Sequence, residues 1–98
     1  MDGHLRDGVV ELGGNARQQF HDARGYGTPI DGDDIRLASV EAAHLLLRGD
    51  LAAVVDDDDR LDFESFFAAA AADTEQFVRR FLVYADLRDR GVLRIARP

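Results

Sequence analysis

Histidine is the residue type in this sequence best able to transfer a proton or bind a metal near neutral pH. The chain carries three, His4, His21 and His44, and no cysteine. A zinc site needs three or four ligands at suitable spacing, and no HxxxH pair occurs. His44 follows Glu41 by three residues, which predicts an ordinary side-chain pair on one helix. We therefore expect surface or half-buried histidines and no metal site.

Aspartate clusters at 31–34 and 56–59 are the other groups that could bind an ion, because Ca²⁺ and Mg²⁺ prefer carboxylate oxygens. Neither cluster has the alternating ligands, turn glycine and closing glutamate of a calcium loop. Both are predicted to be solvated acidic loops.

Glycine and serine motifs give no catalytic signal. The glycines at 13–14 and 25–27 lack GxGxxG and GxxxxGK spacing, which predicts turns. Ser39 and Ser65 lie outside any GxSxG elbow. All twelve basic residues are arginine, so no lysine is present for a Schiff base or a phosphate loop. We expect no catalytic residue and no cofactor.

Arginines and aromatic residues raise the question of RNA binding. Arg79, Arg80, Arg88 and Arg90 make the carboxy-terminal third basic, and Arg94 and Arg97 follow them. The phenylalanines between 63 and 81 recur at helical spacing, which predicts core positions instead of base stacking. A net charge of −7 opposes a large phosphate footprint, so RNA-contacting residues are left unassigned.

Ninety-eight residues with 46% hydrophobic content predict one domain, residues 1–98. No apolar run is long enough for a transmembrane helix, and the first residues do not have the pattern of a secretory signal. The absence of cysteine suits a cytoplasmic protein.

The acidic, lysine-free composition has two explanations. A surface rich in aspartate keeps a protein hydrated when salt is very high, because repulsion between carboxylates is then screened over about 3 Å. This favours a halophilic source. The alternative is codon bias in a GC-rich genome.

The first half of the chain predicts a hairpin over His4–Leu12, with Asp7-Gly8 as its turn. Asn15 is the predicted cap of a helix over Ala16–Arg24. Residues 25–29 are predicted to be a loop that holds Tyr26 against the domain. Ile35–Leu37 is predicted to be a strand.

Three further helices are expected. Ser39 should cap a helix over Val40–Arg48, and Gly49 should end that helix. Residues 51–55 are left unassigned. Asp62 should cap the next helix, which continues through Ala72. Asp73 should cap a long central helix, ended by Gly91, with buried neighbours on more than one side.

A strand over Val92–Ile95 is expected to join the hairpin and Ile35–Leu37. The predicted fold class is α+β: three to four helices packed on a small three- to four-stranded, mostly antiparallel sheet. A strand so near the end suggests that the natural polypeptide continues.

Three blocks carry a family resemblance: Tyr26-Gly27, the VEAxxLLxRG-type block Val40–Gly49, and Tyr84–Gly91, which matches YxDLRxRG. With the order of elements, they make the chain similar to the amino-terminal domain of archaeal tRNA-splicing (tRNA-intron) endonucleases. The structural signature residues are Tyr26, Gly27, Glu41, Ala42, Gly49, Tyr84, Asp86, Leu87, Arg88, Arg90 and Gly91.

The resemblance implies a parent enzyme that cuts introns from precursor tRNA at a bulge-helix-bulge, leaving a 2′,3′-cyclic phosphate and a 5′-hydroxyl without a metal. It places the Tyr, His and Lys triad in a following carboxy-terminal domain, and no residue here matches that triad. The partners implied are that catalytic domain, precursor tRNA through the whole enzyme, and a homodimer or higher assembly. This chain would support the catalytic domain and assembly. The alternative hypothesis is a free-standing acidic protein-interaction module of a halophile.

Overall fold

The computed structural model describes residues 1–90, which contain a mixed sheet of six strands. The strand order is β3-β4-β2-β1-β5-β6. Four neighbouring pairs are antiparallel, whereas β1 and β5 are parallel. The strands are β1 (Asp2–Arg6), β2 (Val9–Leu12), β3 (Thr28–Asp31), β4 (Asp34–Leu37), β5 (Ala53–Asp56) and β6 (Asp59–Leu61).

Four helices in the described range accompany the sheet, which confirms the α+β class and the predicted helix number. They are a short π-helix (Arg17–Asp22), α1 (Ser39–Arg48), α2 (Phe63–Asp73) and α3 (Phe77–Asp89). The π-helix contacts β3 and β4, α1 contacts β2 and β4, and α2 contacts β6. Helix α3 packs on α1 and α2. None of the helices described is long and apolar enough to cross a membrane.

The first hairpin follows its predicted turn chemistry. Asp7 and Gly8 have φ of 51° and 81°, the positive values that a type I′ turn requires at both central positions. The turn sets the register in which Leu5 lies opposite Val10. The hairpin and the strand at 35–37 are confirmed.

The predicted number of strands was too low. Strands β3 and β6 form the edges of the sheet, and β5 overlaps the unassigned segment 51–55 over its last three residues. Edge strands tolerate residues such as Pro29 and Asp59, which are rare in central strands, so their sequences do not look like strands. The acidic loops at 31–34 and 56–59 are the turns of these hairpins.

Two helix starts differ from prediction. The helix at Ala16–Arg24 is π-helical over Arg17–Asp22 and has no side-chain cap, so the Asn15 cap was wrong. In α1, Ala38 occupies the cap position expected for Ser39, and the Glu41 carboxylate accepts the Ala38 N–H instead. The predicted anchor of the first helix, Phe20, is fully buried.

The boundary between α2 and α3 also moved. Asp62 caps α2 as predicted, since its carboxylate accepts the Ser65 N–H at 2.9 Å. Asp73 does not cap the next helix, because it is the last residue of α2 and residues 74–76, which begin with the extended Thr74, separate the two helices. Alanine's high helix propensity explains why α2 continues through this region. Gly49 ends α1 with φ of 83°, as predicted.

The long helix is not central. Its buried residues are Phe77 and Phe81, whereas Val78, Leu82 and Val83 are exposed. A stripe that includes both sets spans too wide an arc for one neighbouring surface, and α1 and α2 cover only the side that carries Phe77 and Phe81. The predicted Gly91 cap and the strand Val92–Ile95 lie outside the described residues.

The core lies between the sheet and its helices. It combines fully buried strand residues such as Val10, Ile35 and Leu37 with Phe20 and Leu45 from helices. A second group of rings joins α2 to α3, where Phe67 lies edge-on to Phe77 and Phe81 with centroids 5.2 Å apart. The prediction that the phenylalanines are core residues is confirmed for Phe66, Phe77 and Phe81.

Candidate functional site: a buried tyrosine, histidine and arginine cluster

A network of polar side chains joins the loop at 25–27 to helices α1 and α3. We call it the signature cluster and define it as Tyr26, Glu41, His44, Tyr84 and Arg88. It contains four of the predicted signature residues and one residue, His44, that was not among them.

Tyr26 is positioned by the glycines on either side of it. Gly25 and Gly27 have φ of 75° and 69°, in the left-handed region that other residues rarely adopt. A Cβ on Gly27 would also lie 2.8 Å from the Arg36 carbonyl oxygen of β4. The loop can therefore approach the sheet closely, and the Tyr26 ring is buried.

Glu41 ties this loop to the start of α1. One carboxylate oxygen accepts the Gly27 N–H at 2.8 Å, and the other accepts the Ala38 N–H at 2.9 Å. A carboxylate in the first helical turn is also favoured by the helix dipole. Glu41 therefore holds the loop and satisfies a free N–H at the helix start, which explains a glutamate at this position of the signature.

His44 lies one helical turn further along α1 and is 3% exposed. Its Nδ1 shares a hydrogen bond of 2.8 Å with the Tyr26 hydroxyl, and its ring is edge-on to Tyr84. Burial, followed by the positive charge of Arg48, lowers the pKa of His44. Burial raises the pKa of the Tyr26 hydroxyl. Both side chains are therefore neutral at pH 7.

Arg88 connects α3 to the same loop. Its Nε donates to the Tyr84 hydroxyl at 2.9 Å, one terminal nitrogen donates to the Arg24 carbonyl, and the other donates to the Gly25 carbonyl at 3.0 Å. The guanidinium carbon lies 3.7 Å from the centroid of the Tyr26 ring, a cation–π contact. Only the planar fork of arginine can make these contacts together.

Tyr84 completes the cluster beside Arg88, and burial raises the pKa of its hydroxyl strongly. Each buried side-chain polar atom in the described residues has a hydrogen-bond partner. The cluster is thus internally satisfied, which is typical of a network that fixes structure.

Charged residues surround the open side of the cluster. Arg24 pairs with Asp50 at 2.9 Å, and Arg48 approaches the same carboxylate at 3.5 Å. Arg24, Tyr26, His44, Arg48 and Arg88 line a small cleft of about 90 Å³.

The remaining signature residues lie outside the cluster. Ala42 is buried in α1, Gly49 ends that helix, and Leu87 is partly buried. Asp86 and Arg90 form an exposed ion pair at 3.2 Å on α3. Gly91 lies outside the described residues.

His44 is the residue that sequence reasoning misjudged. It was expected to be at most half-buried and paired with Glu41, but it is buried and bonded to Tyr26. The available signal was its neighbourhood, because His44 is preceded by Ala42 and Ala43 and followed by Leu45 and Leu46, all of which are buried. No group of three or more histidine, aspartate or glutamate side chains within residues 1–90 is arranged to hold a metal.

The fold and the cluster define an α+β domain whose last described helix is fixed to the body of the protein by partly buried polar side chains. Residues 1–67 match the family model described as the tRNA intron endonuclease, N-terminal domain, and the chain belongs to that family. The predicted family is thereby confirmed.

Named relatives extend the similarity through α3. A tRNA-splicing endonuclease of Halobacterium salinarum is 56% identical over 91 residues, which is 93% of this chain and 24% of the relative. The Natronomonas pharaonis protein of the same name is 54% identical over the same shares. The Pyrococcus abyssi protein is 39% identical over 89% of this chain and 50% of its own length. The chain therefore spans between a quarter and half the length of these relatives.

Proposed function

We propose that this chain is a single domain, residues 1–98, that forms the non-catalytic N-terminal part of a tRNA-splicing endonuclease. The parent enzyme would cleave precursor tRNA at bulge-helix-bulge sites and leave 2′,3′-cyclic phosphate and 5′-hydroxyl ends. Its partners would be the carboxy-terminal catalytic domain, precursor tRNA through the whole enzyme, and further copies in a homodimer or higher assembly. The expected location is the cytoplasm.

The observation that carries the proposal is that signature residues of the family bond to one another inside the domain. Tyr26, Glu41, Tyr84 and Arg88 join a loop, α1 and α3 through hydrogen bonds of 2.8–3.0 Å. Residues used in this way fix the direction of α3 relative to the sheet. A domain that supports a neighbour needs such a rigid connection.

The chemistry of the cluster supports a non-catalytic role. Formation of a cyclic phosphate requires a base for the ribose 2′-hydroxyl and an acid for the leaving oxygen. His44, at 3% exposure, is too buried to contact an RNA backbone, and both tyrosine hydroxyls have raised pKa values. These groups are placed to hold the structure together.

A cleavage assay tests the proposal. The isolated chain and an extended chain, in which it is joined to the remainder of the Halobacterium salinarum relative, are each incubated in molar KCl with a bulge-helix-bulge RNA. A matched RNA with both bulges paired is the control substrate. The extended chain should cut the bulged RNA to cyclic phosphate ends, and the isolated chain should leave both RNAs intact.

Two results would contradict the proposal. Specific cleavage by the isolated chain that is lost in His44→Gln would place chemistry within these residues. An extended chain that folds and leaves the bulged RNA intact, while the unaltered relative cuts it, would favour the alternative of an interaction module.

A further inference from the structure

One side of α3 exposes an apolar surface. Val78, Leu82 and Val83 are 40%, 62% and 55% exposed. Val78 and Leu82 are four residues apart and therefore adjacent on the helix, and Val83 extends the surface around it. We call these three side chains the α3 apolar face. The shallow groove along this face is lined by Glu75, Gln76, Val78, Arg79, Leu82 and Val83.

Such a surface is notable on a protein of net charge −7. Single exposed apolar residues are ordinary, but adjacent large ones on a single helix indicate a contact surface. The other large exposed hydrophobic residues in the described range are Met1, Ile30 and Leu47, each on a different element or end of the chain. The α3 apolar face is therefore the largest grouping of this kind on one element.

The face is held rigidly. On the opposite side of the helix, the rings of Phe77 and Phe81 pack against Phe67 of α2. Arg88 on that side donates hydrogen bonds to the backbone carbonyls of Arg24 and Gly25. The helix therefore presents Val78, Leu82 and Val83 in one orientation, which lowers the entropy lost when a partner binds.

The small size of the face limits the kind of partner that can bind to it. Three side chains bury far less than the ~1,000 Å² that a stable interface between separate proteins requires. A partner connected covalently needs much less area, because a short tether supplies an effective concentration in the millimolar range. A connected domain therefore fits the face better than a second copy of the chain.

The position of the face points to the same partner. The chain belongs to a family described as an N-terminal domain, and the relatives are about two to four times as long as the part it matches. Helix α3 is the last described element. At a helical rise of 1.5 Å per residue, Val83 lies about 10 Å along the axis from Arg90, and Val78 lies about 18 Å from Arg90. A domain that follows the helix is within reach of the face.

We infer that the α3 apolar face is the surface on which the following domain of the same polypeptide docks. This inference rests on the proposed function, because it takes the chain to be the first domain of a longer enzyme. It goes further by assigning the contact to Val78, Leu82 and Val83.

Cysteine labelling tests the inference directly, because the chain has no cysteine of its own. The variants Val78→Cys, Leu82→Cys and Val83→Cys are compared with Asp58→Cys, which lies in the exposed β5–β6 turn. Each is made in the isolated and the extended chain and reacted with a maleimide, and the labelled peptide is identified by mass spectrometry. The three α3 positions should react at least tenfold more slowly in the extended chain, and Asp58→Cys should react equally in both.

Two outcomes overturn the inference. Equal labelling of the α3 positions in both chains would show that the face stays open. Protection that appears in the isolated chain as its concentration rises, together with dimer formation by light scattering, would assign the face to a second copy.

A second variant keeps the test valid if a cysteine variant misfolds. Leu82→Asp should leave the Tm of the isolated chain unchanged, since the side chain is exposed there, and should lower the Tm of the extended chain by several degrees. If the extended chain has the same Tm with and without Leu82→Asp, that result counts against docking. If the α3 cysteines are protected but the extended chain does not cleave RNA, docking is upheld and the proposed function is contradicted. If the extended chain cleaves RNA but the α3 cysteines are not protected, the proposed function is upheld and docking is contradicted.

Discussion

Arg88 makes contacts at each guanidinium nitrogen and also lies over the Tyr26 ring. Removing it leaves the Arg24 and Gly25 carbonyls without their donor. We expect Arg88→Ala to lower the free energy of unfolding by about 2–4 kcal/mol and Arg88→Lys by about 1–3 kcal/mol, because an ammonium cannot donate in three fixed directions. Urea denaturation in molar KCl measures both changes.

The matched control for Arg88 is Arg90, two residues away at the end of the same helix, whose ion pair within residues 1–90 is with the exposed Asp86. Arg90→Lys should change the free energy of unfolding by less than about 0.5 kcal/mol. If Arg88→Lys were as stable as the unaltered chain, the forked contacts would not be important for stability.

His44 predicts how stability depends on pH. Burial first, and then the charges of Arg48 and Arg88, lower the pKa of His44 below 6.5, while Asp89 and Asp50 act in the opposite direction. Above pH 6.5 the imidazole is neutral in both states, so its full contribution is present. As pH falls below 6.5 the unfolded chain takes up a proton first, and stability is lost until the folded pKa is passed.

The measurement is the free energy of unfolding between pH 8 and pH 5 in molar KCl. Other groups also titrate there, so His44→Gln is compared with His4→Gln, whose site is exposed. The loss of stability below pH 6.5 should shrink in His44→Gln and persist in His4→Gln. Identical slopes in all three proteins would contradict the assigned role of His44.

At the scale of helices and strands, the features that were predicted correctly depend on neighbouring residues. The Asp7-Gly8 turn, the Asp62 cap and the Gly49 helix end are each set by the backbone needs of a few adjacent positions. Family signature residues were also found in the sequence, but their mutual contacts were not. Tyr26 and Arg88 are far apart in the chain, and no local sequence pattern shows that the Arg88 guanidinium lies over the Tyr26 ring.

The features that were missed depend on the rest of the fold. Strands β3 and β6 are stabilised by their pairing with β4 and β5 and have little strand propensity of their own. The exposed side of α3 resembled a core stripe because Val78 and Leu82 share the helical period with Phe77 and Phe81. Periodicity shows which residues are apolar on a helix and does not show which of them a neighbour covers.

Asp62 and Asp73 give a paired test at this scale, since both had been predicted to cap a helix. Asp62 accepts the Ser65 N–H and its pKa is lowered by that hydrogen bond, whereas Asp73 ends α2. Asp62→Ala should lower the free energy of unfolding measurably, because the Ser65 N–H loses its acceptor. Asp73→Ala should leave it unchanged or raise it slightly, because a carboxylate at a helix C-terminus opposes the dipole. Equal losses of unfolding free energy in the two variants, measured by urea denaturation, would indicate that Asp73 also caps a helix.

At the scale of the whole molecule, the excess of acid sets the response to salt. Nineteen acidic residues face twelve arginines, and the relatives include proteins of Halobacterium salinarum and Natronomonas pharaonis. Salt weakens exposed ion pairs such as Arg60–Asp2, but exposed pairs of this kind contribute little to stability. Screening of the repulsion between unpaired carboxylates acts over the whole surface and should be the larger effect.

We therefore expect the Tm of the chain to rise between dilute buffer and molar KCl, with each 1 kcal/mol of added stability corresponding to about 4–8 °C. The matched variant is Asp57→Asn combined with Asp58→Asn in the exposed β5–β6 turn, where Asn tolerates the positive φ of Asp57. It should raise the Tm in dilute buffer and match the unaltered chain in molar KCl, because screening already removes the repulsion there. A Tm that does not change with salt in either protein would contradict the halophile interpretation and favour codon bias as the origin of the composition.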